Sequence, residues 1–288
     1  MSEFVKVGER ILAKPSGCDY DLLPNKTYSL MFEDWTRTSY LTESGDLNLP
    51  DKIYSDKKDE FFIKRVLDDF EATDSTTTGI LLAGMKGSGK TLTAKLLAKR
   101  SNLPIIIVDS RYEERFLSDF FSKIQTPVCI LFDEIDKDFH TSRLLSFLDG
   151  IQDTVKKMVI FTCNQWDEDH IDTNMIDRCS RIKYFKEYTG MSEELINSIL
   201  ENNLEGDPRI NEVKDIIVNK FAVTSFDNIN SFVKEVKKYP NETIDTIISD
   251  LNITFVEQKE EEEEVCIKAK KPIPVTMCSD CECACSGC

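Results

Sequence analysis

Residues 79–91, GILLAGMKGSGKT, decide the fold of this chain. The first five, GILLA, are a short apolar run that is typical of a buried β-strand. Residues 84–91 satisfy the pattern G-x-x-x-x-G-K-[ST], and apolar residues at helical spacing follow over 90–101. The glycines let the loop wrap so that its backbone N–H groups point inward, and the N-terminus of the helix adds a positive partial charge. A strand, this loop and a helix, in that order, predict a site for the phosphate groups of a nucleotide.

The residue types in this loop predict separate contacts with ATP and Mg²⁺. Lys90 is expected to reach the β- and γ-phosphates, and the hydroxyl of Thr91 is expected to bind Mg²⁺. Asp133, which follows a later strand, is expected to be the second Mg²⁺ ligand. The predicted nucleotide contacts are Gly84, Gly87, Ser88, Gly89, Lys90, Thr91, Leu92 and Asp133.

Strands and helices alternate along the chain around this motif. Apolar runs predict five strands, at residues 79–83, 104–108, 128–132, 158–162 and 181–185, and helical spacing predicts helices at 60–70, 90–101, 112–124 and 142–148. Continuous apolar strands separated by helices predict a parallel sheet that is buried on both faces. The predicted fold class is therefore α/β, with a doubly wound, five-stranded parallel sheet.

The chain divides into four predicted regions. Residues 1–58 are an irregular N-terminal extension with some β structure, including a strand-like run at 26–32, and residues 59–190 are the α/β core. Residues 191–255 are a small α-helical lid, with helices at 192–204, 208–221, 226–239 and 242–251. Residues 256–288, which contain a run of glutamates at 260–264, are predicted to be a disordered acidic linker and Cys-rich tail.

Composition limits the class of protein. The 288 residues are 41% hydrophobic, which is enough for a packed core and excludes wholesale disorder. The chain has 36 Lys and Arg against 52 Asp and Glu, so its formal net charge is −16, and generic coating of nucleic acid is not expected. No apolar run approaches the roughly 20 residues of a membrane-spanning helix, and the first residues lack the apolar segment of a secretory signal. We therefore expect a cytoplasmic protein without a membrane partner.

Two acidic residues and one amide follow strands of the predicted sheet. Asp133 and Glu134 come directly after the apolar run 128–132, and adjacent acids at the end of a buried strand are costly unless they face a site. Asp133 suits the Mg²⁺ shell, and Glu134 suits activation of an attacking water. Asn164, which follows the run 158–163, is expected to hold that water between Glu134 and the γ-phosphate. An asparagine at a strand end is also typical of a cap or a turn.

Arg178 and Arg181 lie in the segment 175–181, MIDRCSR. An arginine supplied by a neighbouring subunit neutralises transition-state charge at the γ-phosphate in some phosphoryl-transfer enzymes. Both residues are therefore candidate catalytic arginines, and Arg178 is the preferred one. A pair of surface salt bridges is the alternative interpretation.

These elements, in this order, resemble the AAA-family (AAA+) P-loop ATPases. The residues DEID at 133–136, LDG at 148–150 and DRCSRI at 177–182 are similar to motifs of that family. The chain most resembles the AAA-family ATPases of tailed bacteriophages, in which LPDKIY at 49–54 is similar to the segment that leads into the site and SFDN at 225–228 is similar to the lid. The resemblance covers roughly residues 45–255.

The resemblance implies Mg²⁺-dependent hydrolysis of ATP to ADP and phosphate by a homo-oligomeric ring, a hexamer or a heptamer. The preferred use of the cycle is remodelling of a protein or a protein–nucleic acid complex, in the host cytoplasm if the protein is phage-encoded. Two alternatives stay open: a clamp-loader or replication-associated DNA ATPase, and an ATP-dependent assembly scaffold or virion-associated binding protein. The net charge of −16 counts against the first, and the intact Glu134 counts against the second.

Two features depart from the family pattern. Members that thread polypeptides carry an aromatic-hydrophobic-glycine pore loop between the second and third strands. The interval 109–127 has no such tripeptide, although Tyr112 or Phe116 is an aromatic substitute, and this compactness is similar to the branch that includes the mitochondrial Rieske-protein chaperone. The lid helix near Phe226 lacks an arginine where many relatives place a second nucleotide sensor.

The 10 cysteines fall into two groups. Five are scattered, which is typical of reduced thiols: Cys18, Cys129, Cys163, Cys179 and Cys266. Two of these, Cys129 and Cys163, lie in strand-like runs. Five crowd the end of the chain: Cys278, Cys281, Cys283, Cys285 and Cys288. This tail lacks the separated C-x₂-C pairs of a structural zinc site, and its C-x-C spacing is typical of soft-metal thiolate clusters. Binding of a soft metal such as Zn²⁺, a redox or intermolecular tether, and an unstructured tail stay open as hypotheses.

Overall fold

One mixed sheet organises the residues that the computed structural model describes, which are 4–7, 9–13, 22–50, 52–109, 116–149, 155–166, 171–222 and 224–254. Within these ranges it has nine strands: β1 (Phe4–Val7), β2 (Arg10–Ala13), β3 (Thr27–Glu33), β4 (Thr38–Glu43), β5 (Thr77–Gly84), β6 (Ile105–Val108), β7 (Val128–Phe132), β8 (Lys157–Cys163) and β9 (Tyr184–Tyr188). Their order across the sheet is β1-β2-β4-β3-β6-β7-β8-β5-β9. The strand that leads into the phosphate loop, β5, therefore has a neighbour on each side.

Helices connect and cover these strands. Those in the described ranges are α1 (Lys57–Ala72), α2 (Lys90–Arg100), α3 (Leu117–Ser122), α4 (Ile135–Asp138), α5 (Thr141–Leu148), α6 (Thr173–Ile176), α7 (Glu193–Leu204), α8 (Ile210–Lys220), α9 (Phe226–Lys238) and α10 (Ile244–Asp250). None of them is both long and apolar enough to cross a membrane. All these elements belong to the first of two compact units, Met1–Val256, and the second, Glu257–Cys288, lies outside the described residues.

Strands β5 to β8 agree with predicted apolar runs to within two residues at each end, whereas the predicted strand 181–185 overlaps β9 only at residues 184 and 185. Strands β5 to β9 pair in parallel. The predicted count of five is too small for the whole sheet, because β3 pairs in parallel with β6, with Leu30 opposite Val108. Strands β4, β2 and β1 follow as antiparallel neighbours. An edge strand has unpaired backbone groups that a further strand satisfies, and β3 takes this position beside β6. The mixed α/β class with a parallel-rich central sheet agrees with the prediction.

Alternate residues of the central strands enter two separate apolar clusters. In β5, Leu81 and Ala83 belong to the cluster that includes α3 and α5, whereas Ile80 and Leu82 belong to the cluster that includes α1 and α2. Every residue of β5 is buried. The central strands are therefore covered on both faces, as a parallel sheet requires.

Helices α7 to α10 form a C-terminal helical bundle with its own apolar cluster. One buried residue from each helix illustrates it: Ile199, Ile217, Phe232 and Ile247. Three of these helices begin after a hydroxyl residue whose oxygen accepts a backbone N–H group: Ser192, Ser225 and Thr243. Each helix begins within two residues of its predicted start, while the function of the bundle as a lid stays a prediction.

The segment between β6 and β7 contains helix α3, Leu117–Ser122, which lies within the predicted helix 112–124 and ends two residues before its predicted end. Residues 110–115, including Tyr112, lie outside the described residues. Phe116, directly before α3, stacks on Phe32 of β3 with ring centroids 4.6 Å apart. This aromatic side chain is therefore packed within its own subunit.

Two of the scattered cysteines are buried, as predicted from their strand-like surroundings. Cys129 lies in β7 and Cys163 ends β8, and burial raises the pKa of each thiol to about 12. Cys179 is exposed, whereas Cys18 and Cys266 lie outside the described residues.

Arg209 ties the start of α8 to the end of α9. Its guanidinium donates to the carbonyl oxygens of Val236 at 2.8 Å, Tyr239 at 3.1 Å and Glu242 at 3.1 Å. It also pairs with Asp207 at 2.8 Å. The last carbonyl groups of a helix lack helical partners, so this arginine satisfies acceptors that the end of α9 leaves open.

We expect Arg209→Met to lower the free energy of unfolding by about 1–3 kcal/mol, because several partly buried acceptors lose their donor. Urea unfolding followed by circular dichroism measures this change. Lys238→Met removes an exposed cation from the last turn of the same helix and is the matched control, for which we expect little change. Equal stability of Arg209→Met and the wild type would contradict this capping role.

Candidate nucleotide-binding site

The loop between β5 and α2 depends on glycine at its first position. Gly84 has a φ of +127°, and a Cβ atom there would lie 2.1 Å from the carbonyl oxygen of Tyr188. Met85 donates its N–H to that same oxygen at 3.2 Å. The chain leaves the sheet and enters the loop at Gly84. Only glycine fits the backbone angle and the close contact that this turn requires.

The loop and the start of α2 offer donors to a phosphate group. Gly89, with a φ of 101°, precedes the first residue of α2, where the first N–H groups of a helix lack helical partners. The Oγ atom of Ser88 is buried and has no hydrogen-bond partner among the described residues. The Ser88 hydroxyl is therefore available to a phosphate oxygen, and the positive end of α2 favours an anion. The loop therefore fits the phosphates of ATP.

Lys90 is almost completely buried, with 5% of its surface exposed. Its Nζ donates to the carbonyl oxygens of Gly84 and Met85, each at 2.7 Å, and to Oδ1 of Asn164 at 3.2 Å. Burial lowers the pKa of Lys90, and nearby carboxylates oppose that shift. A buried cation held by neutral oxygens is well placed for an anionic ligand, whose charge would compensate the loss of hydration.

Asp133 joins the start of α2 to strand β8. The Thr91 hydroxyl donates to Asp133 Oδ1 at 3.2 Å, and the Thr162 hydroxyl donates to the same atom. A hydroxyl beside a carboxylate provides the hard oxygen ligands of Mg²⁺, which usually keeps phosphate oxygens and water in its other positions. Thr91 and Asp133 therefore fit the predicted Mg²⁺ site.

Glu134 has a left-handed backbone conformation, φ 54° and ψ 54°, that is uncommon outside glycine. Its N–H donates to Thr162 Oγ1 at 2.9 Å. Its carboxylate accepts from Asn164 Nδ2 at Oε1 (3.1 Å) and from Lys137 Nζ at Oε2 (2.6 Å). The hydrogen bonds from Lys137 and Asn164 hold the pKa of Glu134 below its usual value, so the carboxylate is ionised and fixed beside the loop.

Three residues that sequence reasoning missed support this arrangement: Thr162, Asp136 and Lys137. Asp136 accepts the backbone N–H groups of Asn164 at 3.0 Å and Gln165 at 3.3 Å, which fixes the chain as it leaves β8. Thr162 connects two neighbouring strands through its hydroxyl. In the sequence it is an ordinary β-branched strand residue, and the available signal is a polar residue two positions before Asn164 in an otherwise apolar run.

Most of the predicted site residues line a cavity of about 400 Å³, whereas Gly84 and Asp133 are not part of its lining. The lining includes Gly87, Ser88, Gly89, Lys90, Thr91, Leu92, Glu134, Thr162 and Asn164, and on its remaining walls Tyr54, Met191 and Phe226. The rings of Tyr54 and Phe226 have centroids 6.0 Å apart. The backbone N–H of Phe226 donates to the carbonyl oxygen of Gly87 at 2.9 Å, so the C-terminal helical bundle directly contacts the phosphate loop.

The two candidate arginines lie outside this cavity lining. Arg178 is exposed. Arg181 is 7% exposed and forms a fork-like ion pair with Asp149, at 2.6 Å and 3.0 Å, and donates to the carbonyl oxygen of Asn174 at 2.6 Å. Arg181 therefore has a structural role within its own subunit, and Arg178 is the better placed of the two to reach a neighbour.

The Cys-rich tail offers no structural test of its hypotheses, because it lies outside the described residues: Cys278, Cys281, Cys283, Cys285 and Cys288. In the part of the chain that the structure does describe, no group of three or more His, Cys, Asp or Glu side chains is arranged to hold a metal ion. The Zn²⁺ hypothesis is therefore without structural support.

A phosphate loop follows the central strand β5, an asparagine follows its neighbour β8, and an Asp-Glu pair follows β7, the strand on the other side of β8. This arrangement fits the predicted P-loop nucleotide-binding site. Residues 80–187, a little over a third of the chain, match the model of the ATPase family associated with various cellular activities (AAA). This match supports an AAA-family ATPase with an ATP-dependent activity, as the resemblance predicts, while the bacteriophage link stays a prediction. No curated protein matches the chain significantly.

We expect Thr162→Val to slow ATP turnover about tenfold, because Asp133 and Glu134 both lose the hydroxyl that orients them. Thr162→Ser keeps the hydroxyl and is the matched control, for which we expect a rate near that of the wild type. Steady-state phosphate release over a range of Mg²⁺ concentrations measures both variants. Wild-type turnover in Thr162→Val, at saturating ATP and Mg²⁺, would contradict the orienting role of this residue.

Proposed function

We propose that this protein is an AAA-type ring ATPase that hydrolyses ATP with Mg²⁺ and uses the reaction to remodel a protein or a protein–nucleic acid complex. The observation that carries the ATPase proposal is the contact network among five side chains: Lys90, Thr91, Asp133, Glu134 and Asn164. The AAA match over residues 80–187 supports the same activity.

Lys90 is the proposed cation for the phosphate groups. Its Nζ is shared among two backbone carbonyls and the Asn164 amide, all of which are neutral acceptors. A phosphate oxygen carries negative charge and forms a stronger, charge-assisted hydrogen bond. We expect Lys90 to exchange at least one neutral acceptor for a phosphate oxygen when ATP binds, with the Ser88 hydroxyl contacting the same phosphates.

Thr91 and Asp133 are the proposed protein ligands of Mg²⁺. When bound, Mg²⁺ offsets the charge that develops on the phosphate oxygens. Thr162 donates to the same oxygen of Asp133 as Thr91 does, and so keeps the carboxylate at this position.

Glu134 is the proposed general base for the attacking water. Each carboxylate oxygen has two lone pairs, so Oε1 and Oε2 retain capacity to accept from water beside their contacts with Asn164 and Lys137. Asn164 contacts both Lys90 and Glu134, and so stands between the phosphate-binding cation and the base. As the water attacks the γ-phosphate, its proton passes to Glu134.

Arg178 is the proposed arginine finger, which acts on ATP held by the neighbouring subunit. It is exposed and outside the cavity lining, whereas Arg181 is occupied by Asp149. An arginine that reaches the next subunit's nucleotide requires repeated head-to-tail contacts, which close as a ring. A hexamer or a heptamer is the proposed assembly.

The remodelling role rests on the family resemblance, and capture of the substrate tests it. Glu134→Gln with ATP should hold the ring in its ATP-bound state, so that the remodelled partner co-purifies and is identified by mass spectrometry. ATP turnover with and without DNA tests the replication alternative, which predicts stimulation by DNA. An assembly scaffold predicts partner binding that continues unchanged without hydrolysis.

We expect Lys90→Ala to abolish ATP binding and Glu134→Gln to keep binding but lose turnover. The reason is that Lys90 contacts phosphate in the ground state, whereas Glu134 acts on the water in the transition state. Calorimetric titration with ATP and steady-state turnover separate the two effects. Lys99→Ala, at an exposed position in the last turn of α2, is the matched control and should behave as the wild type. An equal loss of ATP affinity in both site variants would refute this division of roles.

We expect Arg178→Ala to bind ATP nearly as well as the wild type but to hydrolyse it about 10³-fold more slowly, because the loss falls on transition-state charge. Mixing variants tests whether the arginine acts between subunits. Lys90→Ala subunits cannot hold ATP but keep Arg178, and Arg178→Ala subunits hold ATP but lack it, so mixed rings should regain turnover at shared interfaces. Mixed rings that co-assemble by native mass spectrometry yet stay inactive would exclude this role. Because Arg181→Ala also breaks the ion pair with Asp149, it should lose thermal stability, whereas Arg178→Ala should not.

A further inference from the structure

We propose that Lys137 is a positioning residue for the hydrolysis step, whose ammonium group holds the carboxylate of Glu134 in the orientation that a base needs. This inference rests on the proposed ATPase function. Lys137 lies outside the phosphate loop and outside the Asp-Glu pair, and no sequence motif assigns it a role.

The backbone brings Lys137 back to Glu134. Helix α4 begins at Ile135, directly after Glu134, and the Lys137 N–H donates to the Glu134 carbonyl oxygen at 3.2 Å. This single turn places the two side chains on the same side, where Nζ of Lys137 lies 2.6 Å from Oε2 of Glu134. Because Glu134 has a fixed left-handed conformation, the direction of its side chain is set by the same turn.

A second contact matters because the carboxylate plane of a glutamate is otherwise loosely held. The last torsion of a glutamate side chain is broad and roughly two-fold, so one hydrogen bond at one oxygen leaves the plane free to rotate. Asn164 bonds to Oε1 at 3.1 Å, and Lys137 bonds to Oε2. Contacts at both oxygens fix the plane, and with it the lone pairs that would accept the proton of water.

The two partners of the Glu134 carboxylate, Asn164 and Lys137, differ in their connection to Lys90. Asn164 shares its amide with Lys90, at 3.2 Å, and the phosphate of ATP would compete for that lysine. A change at Lys90 therefore acts on the Asn164 contact with Glu134. Lys137 bonds to Oε2, the oxygen that Asn164 does not contact, so a change at Lys90 reaches the carboxylate through Oε1.

The effect belongs to catalysis and not to folding. The side chains of Lys137 and Glu134 are 47% and 37% exposed, and an exposed ion pair contributes little to stability. A useful control pair is Lys123 and Asp119, at 2.7 Å. Lys123 directly follows α3, and its side chain is 51% exposed, close to the value for Lys137. Removal of either lysine should leave the melting temperature close to that of the wild type.

Steady-state kinetics of the full chain tests the proposal with the variants Lys137→Met, Lys137→Arg and Lys123→Met. We expect Lys137→Met to lower kcat about fivefold while the KM for ATP stays within about twofold, because orientation of the base acts on the chemical step. Lys137→Arg keeps the positive charge and the donors, and should restore at least half of the wild-type kcat. Lys123→Met should match the wild type.

Three results would overturn the role of Lys137: an unchanged kcat in Lys137→Met, a raised kcat, which would make the contact inhibitory, or an equal fall in Lys137→Arg. A fall of the same size in Lys123→Met would also overturn it, since the effect would then be general.

These outcomes differ from failure of the proposed function. Absence of ATP turnover in the wild type would remove the ATPase and this inference together. Turnover retained in Glu134→Gln would leave the ATPase but remove Glu134 as its base, and this inference with it. Loss of turnover in Glu134→Gln with a normal Lys137→Met would remove only the inference.

Discussion

The parallel register between β7 and β8 is the constraint on which the candidate site depends. Phe132 lies opposite Phe161, so Asp133, one residue later, comes beside Thr162. The two phenylalanine rings stack with centroids 4.9 Å apart, and this buried contact stabilises the register. A slip of one residue would turn Thr162 to the other face of the sheet, and the hydroxyl that orients Asp133 and Glu134 would enter an apolar cluster. Packing inside the sheet thus determines where the acids stand at its edge.

The pairing of β8 with β5 completes the site by the same means. Ala83 lies opposite Cys163, so Gly84 and Asn164 leave the sheet side by side. Lys90 bonds to both of them, although it lies in the helix that follows the loop. Lys90 thus connects the ends of two neighbouring strands. Its burial is tolerated because these strand ends provide oxygen atoms that accept its hydrogen bonds. One sheet register positions the acids and the other positions the cation, which is why chemistry from three distant segments meets in one cavity.

The parts of this arrangement that could be predicted from sequence are those whose chemistry is local. The phosphate loop, the five parallel strands and the bundle helices follow from motifs and spacing within short windows. The parts that could not be predicted depend on which segments become neighbours: Thr162 acts across a strand pair, Lys137 acts through one turn of helix, and β3 joins a strand far along the chain. The two arginines illustrate the same limit, since the sequence favours Arg178 over Arg181 but does not show the buried ion pair of Arg181 with Asp149.

A backbone contact joins the phosphate loop to the C-terminal helical bundle. Gly87 has a φ of +76°, and a Cβ atom there would lie 2.9 Å from the Cβ of Ser225, the residue that caps α9. The Phe226 N–H bonds to the Gly87 carbonyl oxygen at 2.9 Å, so the start of α9 rests on loop backbone. A long side chain can absorb a displacement by changing rotamer, and a hydrogen bond between backbone atoms has no such freedom. Glycine at position 87 therefore allows both the fit of the loop to phosphate and the close approach of the bundle. A movement of the loop around ATP must move α9 or break this hydrogen bond.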